Sequence, residues 1–532
     1  MTDFENILDS DNTVTERFPT SNILEDQMNP AIRLYGRRFY KDQTPVEYLA
    51  EFLLVYASGK GRQKNNSYRL DLVGGGEPAC YWPNDRIALK LFSFFASSKL
   101  ETRHPIHQKT YLQALADIKA RIAGTNLDKD EGVRLLQSLF GGFVGVARNR
   151  TWVTHSFLPA SSALLAREVD WLHSNATKDT ELSNWVGAKK HFATDRHNFM
   201  ARGGELLFLQ LAHLFSKNDH AALKEIRASG SYFHLEKQDL IVMREGIESE
   251  LKSILENAVE PITQLSNFIE KALGTLAFDE QSTRASLGWV PTASVPEAYL
   301  FASEMNNICR SAQGPLDKIE LLQTLVCMQV LRSLCFQAQR TDDPNSRMEG
   351  FAGGYSWIAT DVNAPSGSAV RKLAQNSFER TEELLYRVLR RVAKSGGGVQ
   401  PKLAEADKHG FQIFRKIGKE LELVIPRKGG GQRFALTPKL LRFLVAALVG
   451  SGERVRLSEF YRRVFAHFGI ALGNSQLVSA LSWCGNESDE RDYSSAADTS
   501  WVEEALHQGG FLVELSDAVS IVCNPDGGEL SK

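Results

Sequence analysis

The sequence predicts a mainly α-helical, multidomain protein with small β-hairpin elements and a winged-helix-like C-terminal module. Three observations carry that expectation. Apolar residues recur at spacings of three and four along most of the 532-residue chain. Helix-start residues precede several of these runs, as with Thr44 before Pro45 and Thr437 before Pro438. Strand-like alternation is short, and it sits beside glycine runs or at the C-terminus.

Taken in order, residues 1–30 read as a flexible lead. Residues 31–217 form a helical N-terminal domain with minor strands. Its helices are "TPVEYLAEFLLVYAS", "NDRIALKLFSFFASSKL", "HQKTYLQALADIKARIAG", "DKDEGVRLLQSLFGGFVGVA", "SSALLAREVDWLHS" and "RGGELLFLQLAHLFSK", and "SYRLDLV" alternates as a strand. Residues 218–350 form a helical middle domain, in which Pro261 should split a long amphipathic run. "GFAGGYSWIATDVNAPSGS" reads as a boundary loop, rich in glycine, proline and serine. Residues 351–442 form a basic helix-hairpin region, with "ELELVI" and "QRFAL" as strands flanking "PRKGGGQRF". Residues 443–532 run through short helices into a terminal hairpin turning near Ser516 and Asp517, the element order of a winged helix.

Bulk properties narrow the class. No apolar run approaches the ~20 residues that span a bilayer, so no membrane partner is expected. The N-terminus "MTDFENILDSDNTVTE" is acidic and polar, the opposite of a signal peptide, which points to the cytoplasm. The six cysteines include no CxxC pair and no histidine neighbour at ligand spacing. Buried structural thiols are therefore expected, and neither a metal nor a cofactor.

The formal charge of −2 hides an uneven distribution. Between Arg387 and Arg442 fourteen Lys and Arg face four acids, a net +10, whereas residues 443–532 carry six bases and thirteen acids, a net −7. A basic block in an acidic chain suits a polyanion or an acidic partner, or else a solvated helix face beside an acidic neighbour. Arg387, Arg391 and Lys394 share a helix face. Arg415, Lys416 and Lys419 lie on the next helix, and Arg427, Lys428 and Arg433 cluster at the glycine-rich hairpin. These nine residues are the candidate nucleic-acid contacts, directed at the backbone without sequence preference. Phe411, Phe414 and Phe434 interleave with them at spacings that suit a core better than a stacking platform.

Phosphate-loop chemistry is disfavoured. None of "VGGGEP", "ASGKGRQ" and "PRKGGGQ" combines a preceding strand, a Gly-Lys-Ser/Thr ending and a following helix. His191, Asp195, Arg196, His197, Arg202 and Glu205 make the densest polar group of the N-terminal half, and acid–base chemistry of a divergent nuclease or hydrolase would sit there. No metal or hydrolase motif accompanies them, so helix capping and ion pairing are the simpler reading, and no catalytic residue is assigned.

The segments "HNFMARGGELLFLQL", "NPAIRLYGRRFYKDQTPVEYLAEFLLVYAS" and "RFALTPKLLRFLVAALVGSGERVRLSEFYRRVFAHFGIALG" resemble parts of uncharacterised accessory proteins from bacterial multigene antiphage defence loci of the methylation-associated, restriction-type kind. The resemblance covers about a fifth of the chain and carries over no functional residue. It implies a non-enzymatic partner of other protein subunits. The expectation is thus an adaptor or DNA-associated subunit, with a hydrolase and a purely structural scaffold as alternatives.

Overall fold

The structure, a computed structural model, describes residues 16–20, 29–36, 43–61, 64–72, 79–84, 86–93, 104–122, 128–142, 159–165, 170–171, 182–193, 203–235, 238–276, 284–346, 348–395, 403–485, 498–516 and 519–525. It is mainly helical. In chain order the helices are α1 Pro30–Tyr35, α2 Pro45–Ala57, α3 Ile87–Ser93, α4 Pro105–Arg121, α5 Lys129–Gly142, α6 Trp185–Lys189, α7 Gly203–Leu214, α8 Ala221–Ala228, α9 Leu240–Asn257, α10 Glu260–Ala272, α11 Val295–Arg310, α12 Pro315–Asp342, α13 Ala369–Ser395, α14 Leu403–His409, α15 Phe411–Glu420, α16 Pro438–Leu448, α17 Leu457–Phe468, α18 Asn474–Cys484 and α19 Ser500–Gln508. The strands used below are β1 Arg17–Phe18, β2 Gly59–Lys60, β3 Cys80–Trp82, β4 Asp170–Trp171, β5 Phe192–Ala193, β6 Ala285–Ser286, β7 Val290–Pro291, β8 Trp357–Ile358, β9 Thr360–Asp361, β10 Val424–Ile425, β11 Arg433–Leu436, β12 Arg454–Arg456, β13 Ile470–Ala471, β14 Leu512–Ser516 and β15 Val519–Cys523.

The chain divides into two compact units, each discontinuous in sequence. One holds Met1–Lys41, Leu206–Glu250 and Gly288–Lys532; the other holds Asp42–Glu205 and Leu251–Leu287. In the second unit, Leu89, Phe92, Tyr111, Ile118, Phe140 and Ile269 from α3, α4, α5 and α10 form a buried core. A three-stranded sheet of order β2-β3-β6 and the pair β4-β5 complete it. Thr44 and Glu47 close a capping box on α2, and Pro45 occupies its first turn, as the sequence indicates. Pro261 likewise begins α10 just after α9 ends.

The first unit is built on α12, which packs against α11 and α13. By length and composition α12 could cross a membrane, but 89% of its apolar window is buried inside the protein. Gln329 and Arg332 interrupt the apolar run. Those polar groups are internally satisfied: Arg332 and Glu304 are both 0% exposed and joined by two hydrogen bonds of 2.6 and 2.8 Å. Gln329 bridges Arg332 to Gln210, which in turn bonds Ser333.

Three local expectations are corrected. "GFAGGYSWIATDVNAPSGS" is not a plain loop, since it contributes β8 and β9 to the core. β8 pairs in parallel with β13 and β9 in parallel with β11, and Trp357 is fully buried. Strands of two residues carry no alternation to read. "SYRLDLV" forms no strand over its described residues, because Tyr68 takes a left-handed φ of 57° and Arg69 turns back onto Asp71; β3 takes that place in the sheet. "SSALLAREVDWLHS" gives a 3-10 turn, Ser162–Leu164, and then β4 rather than one helix.

Gly469 ends α17 at φ +69°, where an added Cβ would lie 2.6 Å from the Phe351 ring and 3.0 Å from the Tyr355 carbonyl. This close approach, available to glycine alone, brings the chain from α17 into β13 beside β8. The C-terminal residues form a three-stranded antiparallel sheet of order β12-β15-β14.

Candidate functional site

The candidate basic residues lie on α13, α15 and the β10–β11 hairpin, but acids distant in sequence meet Arg387, Arg391 and Arg415. Arg387 lies 2.6 Å from Asp342 and 3.1 Å from Glu383, and Arg391 lies 3.2 Å from the same Asp342. Burial alone would raise the Asp342 carboxyl; its bond to Arg387 and the charges of Arg387, Arg391 and Arg380 hold it below the ordinary value. Arg415 grips Glu382 through two bonds of 2.8 and 2.7 Å. Arg390, Lys439 and Arg442 pair with Asp407, Glu320 and Asp317. Such part-exposed pairs contribute about 0–1 kcal/mol each, yet they cancel much of the field that a linear count of +10 suggests.

What remains outward is small. Lys394 is exposed at the end of α13, Lys416 is half-buried on α15, and Lys419 is half-buried, its ammonium pulled down by burial and then by Arg415. At the hairpin, Val424 pairs with Phe434 and Ile425 with Arg433, leaving Pro426–Gln432 as the tip. Arg427 and Lys428 are exposed there, with Arg427 3.0 Å from Glu422. Arg433 is placed differently from the sequence reading. It belongs to β11 rather than the tip, is 3% exposed, and donates to the Val362 carbonyl at 2.9 Å. All four residues of β11 are buried, so both faces of the strand are covered and Arg433 is enclosed with it. Phe414 and Phe434 are fully buried around Trp357, at ring distances of 5.7 and 5.3 Å, and so belong to the core.

The polar group of the N-terminal half is only partly described, since Asp195, Arg196, His197 and Arg202 lie outside the described residues. His191 is buried, and Glu205 lies fully buried in the first turn of α7. Glu51 accepts from the Gly204 amide at 2.7 Å and from Gln43 at 3.0 Å, fixing the start of that helix. Gly204 permits this, as a Cβ there would strike the Tyr48 carbonyl of α2. In "ASGKGRQ", Lys60 is buried and donates to the Tyr56 carbonyl at 2.6 Å. The loop "VGGGEP" lies outside the described residues.

One constellation escaped the sequence. His467 Nδ1 lies 2.8 Å from Glu304, and His234 Nε2 lies 2.8 Å from His467 Nε2. Glu304, held by Arg332, can only accept, so His467 donates through Nδ1 and accepts through Nε2 from His234. Burial, then the charges of His467, Arg463 and Arg462, push His234 down to about 2. Burial also lowers His467, against the pull of Glu304. Both rings stay neutral in the folded chain, whereas in the unfolded chain they take up protons near the ordinary value of 6.5. Stability from this pair is therefore present above that value and lost as pH falls below it. Denaturant unfolding is expected to show a loss of about 2 kcal/mol between roughly pH 7.5 and 5.5, and a shallower slope in His234→Gln. An unchanged slope in that variant would refute the assignment. Comparisons with protein-family models, with curated proteins and with solved structures find no match for this chain.

Proposed function

We propose that this protein is a non-enzymatic adaptor of a multiprotein complex that touches nucleic-acid backbone through the hairpin tip Pro426–Gln432. The observation that carries the reading is the exposure of Arg427 and Lys428 on a glycine-built tip, while Arg387, Arg391 and Arg415 are held by carboxylates. A narrow tip with exposed cations can follow phosphates without reading bases. The nucleic-acid footprint is accordingly smaller than the nine candidate residues suggest.

The C-terminal order α16, β12, α17, β13, α18, α19, β14, β15, with β15 central in the sheet β12-β15-β14, supports a winged-helix reading. Neither α18 nor α19 carries Lys or Arg, and α19 presents Glu503 and Glu504. The module therefore suits protein docking better than the major groove. The resemblance of the quoted segments supports such an adaptor among the subunits of a bacterial antiphage defence complex, and the acidic N-terminus supports the cytoplasm. Fluorescence anisotropy with unrelated duplexes tests the reading. Binding at low salt is expected, and Arg427→Glu with Lys428→Glu should weaken it by roughly tenfold or more and flatten the salt slope by about 2. Wild-type protein that binds no duplex at low salt would leave only the scaffold.

A further inference from the structure

The arginine that turned out to be buried has no carboxylate. Arg433 Nη2 meets the Val362 carbonyl, but its Nε is buried with no hydrogen-bond partner. Arg371, half-buried in the first turn of α13, directs its own guanidinium to the next part of the same loop, with Nη1 3.4 Å from the Ala364 carbonyl. Among the described residues neither arginine makes an ion pair, in contrast with the paired arginines further along α13. Burial and then Arg371 lower the Arg433 guanidinium, and Asp361 opposes them. Two neighbouring cations, one of them out of water, cost free energy unless an anion joins them.

The loop that both arginines hold runs straight into a helix start. Ser368 immediately precedes α13, and its carbonyl accepts from the Lys372 amide as the first helical bond. Its hydroxyl is buried with no partner and does not cap the helix. Among the described residues no side chain accepts from the amides of Ala369, Val370 or Arg371, so the positive end of a 27-residue helix is left open. Gly367 beside it, at φ +84°, has no atom within 4 Å of an added Cβ. The hairpin also reaches this end of α13, since Gly431 faces Gln375.

We propose that the first turn of α13, the Ser368 hydroxyl and the guanidiniums of Arg371 and Arg433 form a phosphate site, filled by a backbone phosphate of the strand that the hairpin tip follows. Amides at a helix start, a hydroxyl and two guanidiniums are the donors that a tetrahedral oxyanion accepts. Asp361, whose charge opposes the lowering of the Arg433 guanidinium, weakens the field of the site for any anion. The strand as the source of the phosphate rests on the proposed function; the site itself does not.

Inorganic phosphate is the probe. Thermal unfolding of the full chain in phosphate, against chloride at matched ionic strength, is expected to show a rise of roughly 2–4 °C for the wild type. Arg371→Gln, at a half-exposed position that folding should tolerate, is expected to abolish that rise, and Ser368→Ala to reduce it. In duplex binding, Arg371→Gln should flatten the salt slope by about 1. A wild-type protein stabilised no more by phosphate than by chloride overturns the site, whatever DNA does. A rise that Arg371→Gln removes, with the salt slope unchanged, keeps the site and overturns the strand as its source.

Discussion

Glu304→Leu is expected to destabilise the protein by about 3 to 5 kcal/mol, because it strands Arg332 in the core with no counter-charge. Both side chains are 0% exposed, and the guanidinium makes two short bonds to the carboxylate. Arg332 also donates to the His467 carbonyl at 2.9 Å and lies 4.9 Å over the Phe468 ring, so it cannot swing out to water without opening α12 against α17. The desolvation that the carboxylate offsets is larger than the attraction itself. Consequently the double variant Glu304→Leu with Arg332→Met should recover much of the loss. Recovery will be incomplete, since His467 also gives up its acceptor on Glu304. A double-mutant cycle by denaturant unfolding reads this directly. A single-variant cost below about 1 kcal/mol would mean that water reaches the pair.

Trp357→Ala is expected to cost about 4 kcal/mol. The indole is fully buried, with rings of Tyr355, Phe434 and Phe414 at 5.2, 5.3 and 5.7 Å. It thereby joins β8 to the hairpin strand β11 and to α15 in one aromatic cluster. Removing it leaves a cavity that short, parallel-paired strands cannot collapse to fill, whereas Trp357→Phe keeps most of the contact and should cost less than half as much. Calorimetry of the two variants compares them. Equal losses would show that strand pairing, and not ring packing, holds this junction.

Periodicity and caps made the helices legible. Thr44, Pro45, Glu47, Thr437 and Pro438 all act locally, within one turn, and the structure places each where the spacing puts it. The failures share a different cause. Trp357 and Ile358 become a strand only because Ile470 and Ala471 arrive beside them, and nothing within the glycine-rich segment encodes that pairing. Charge behaved in the same way. The four acids between Arg387 and Arg442 were visible, but Asp342 and Glu382, which hold Arg387, Arg391 and Arg415, lie before that window and approach only through the packing of α13 against α12 and α15. The His234–His467–Glu304 chain joins residues more than 160 positions apart at each link, beyond any local pattern.

The parallel pairings of β8 with β13 and of β9 with β11 also impose a schedule. Residues 357–361 leave the ribosome well before their partners at 433–436 and 470–471 have been made. Until then Trp357 has no sheet to enter, and the aromatic cluster is incomplete. Helices α11 and α12 can associate early through neighbouring contacts, but the junction around Trp357 closes late, over long loops. A nascent or truncated chain ending before residue 470 would therefore expose this aromatic surface, and the final third of the chain serves the earlier part as an intramolecular chaperone would.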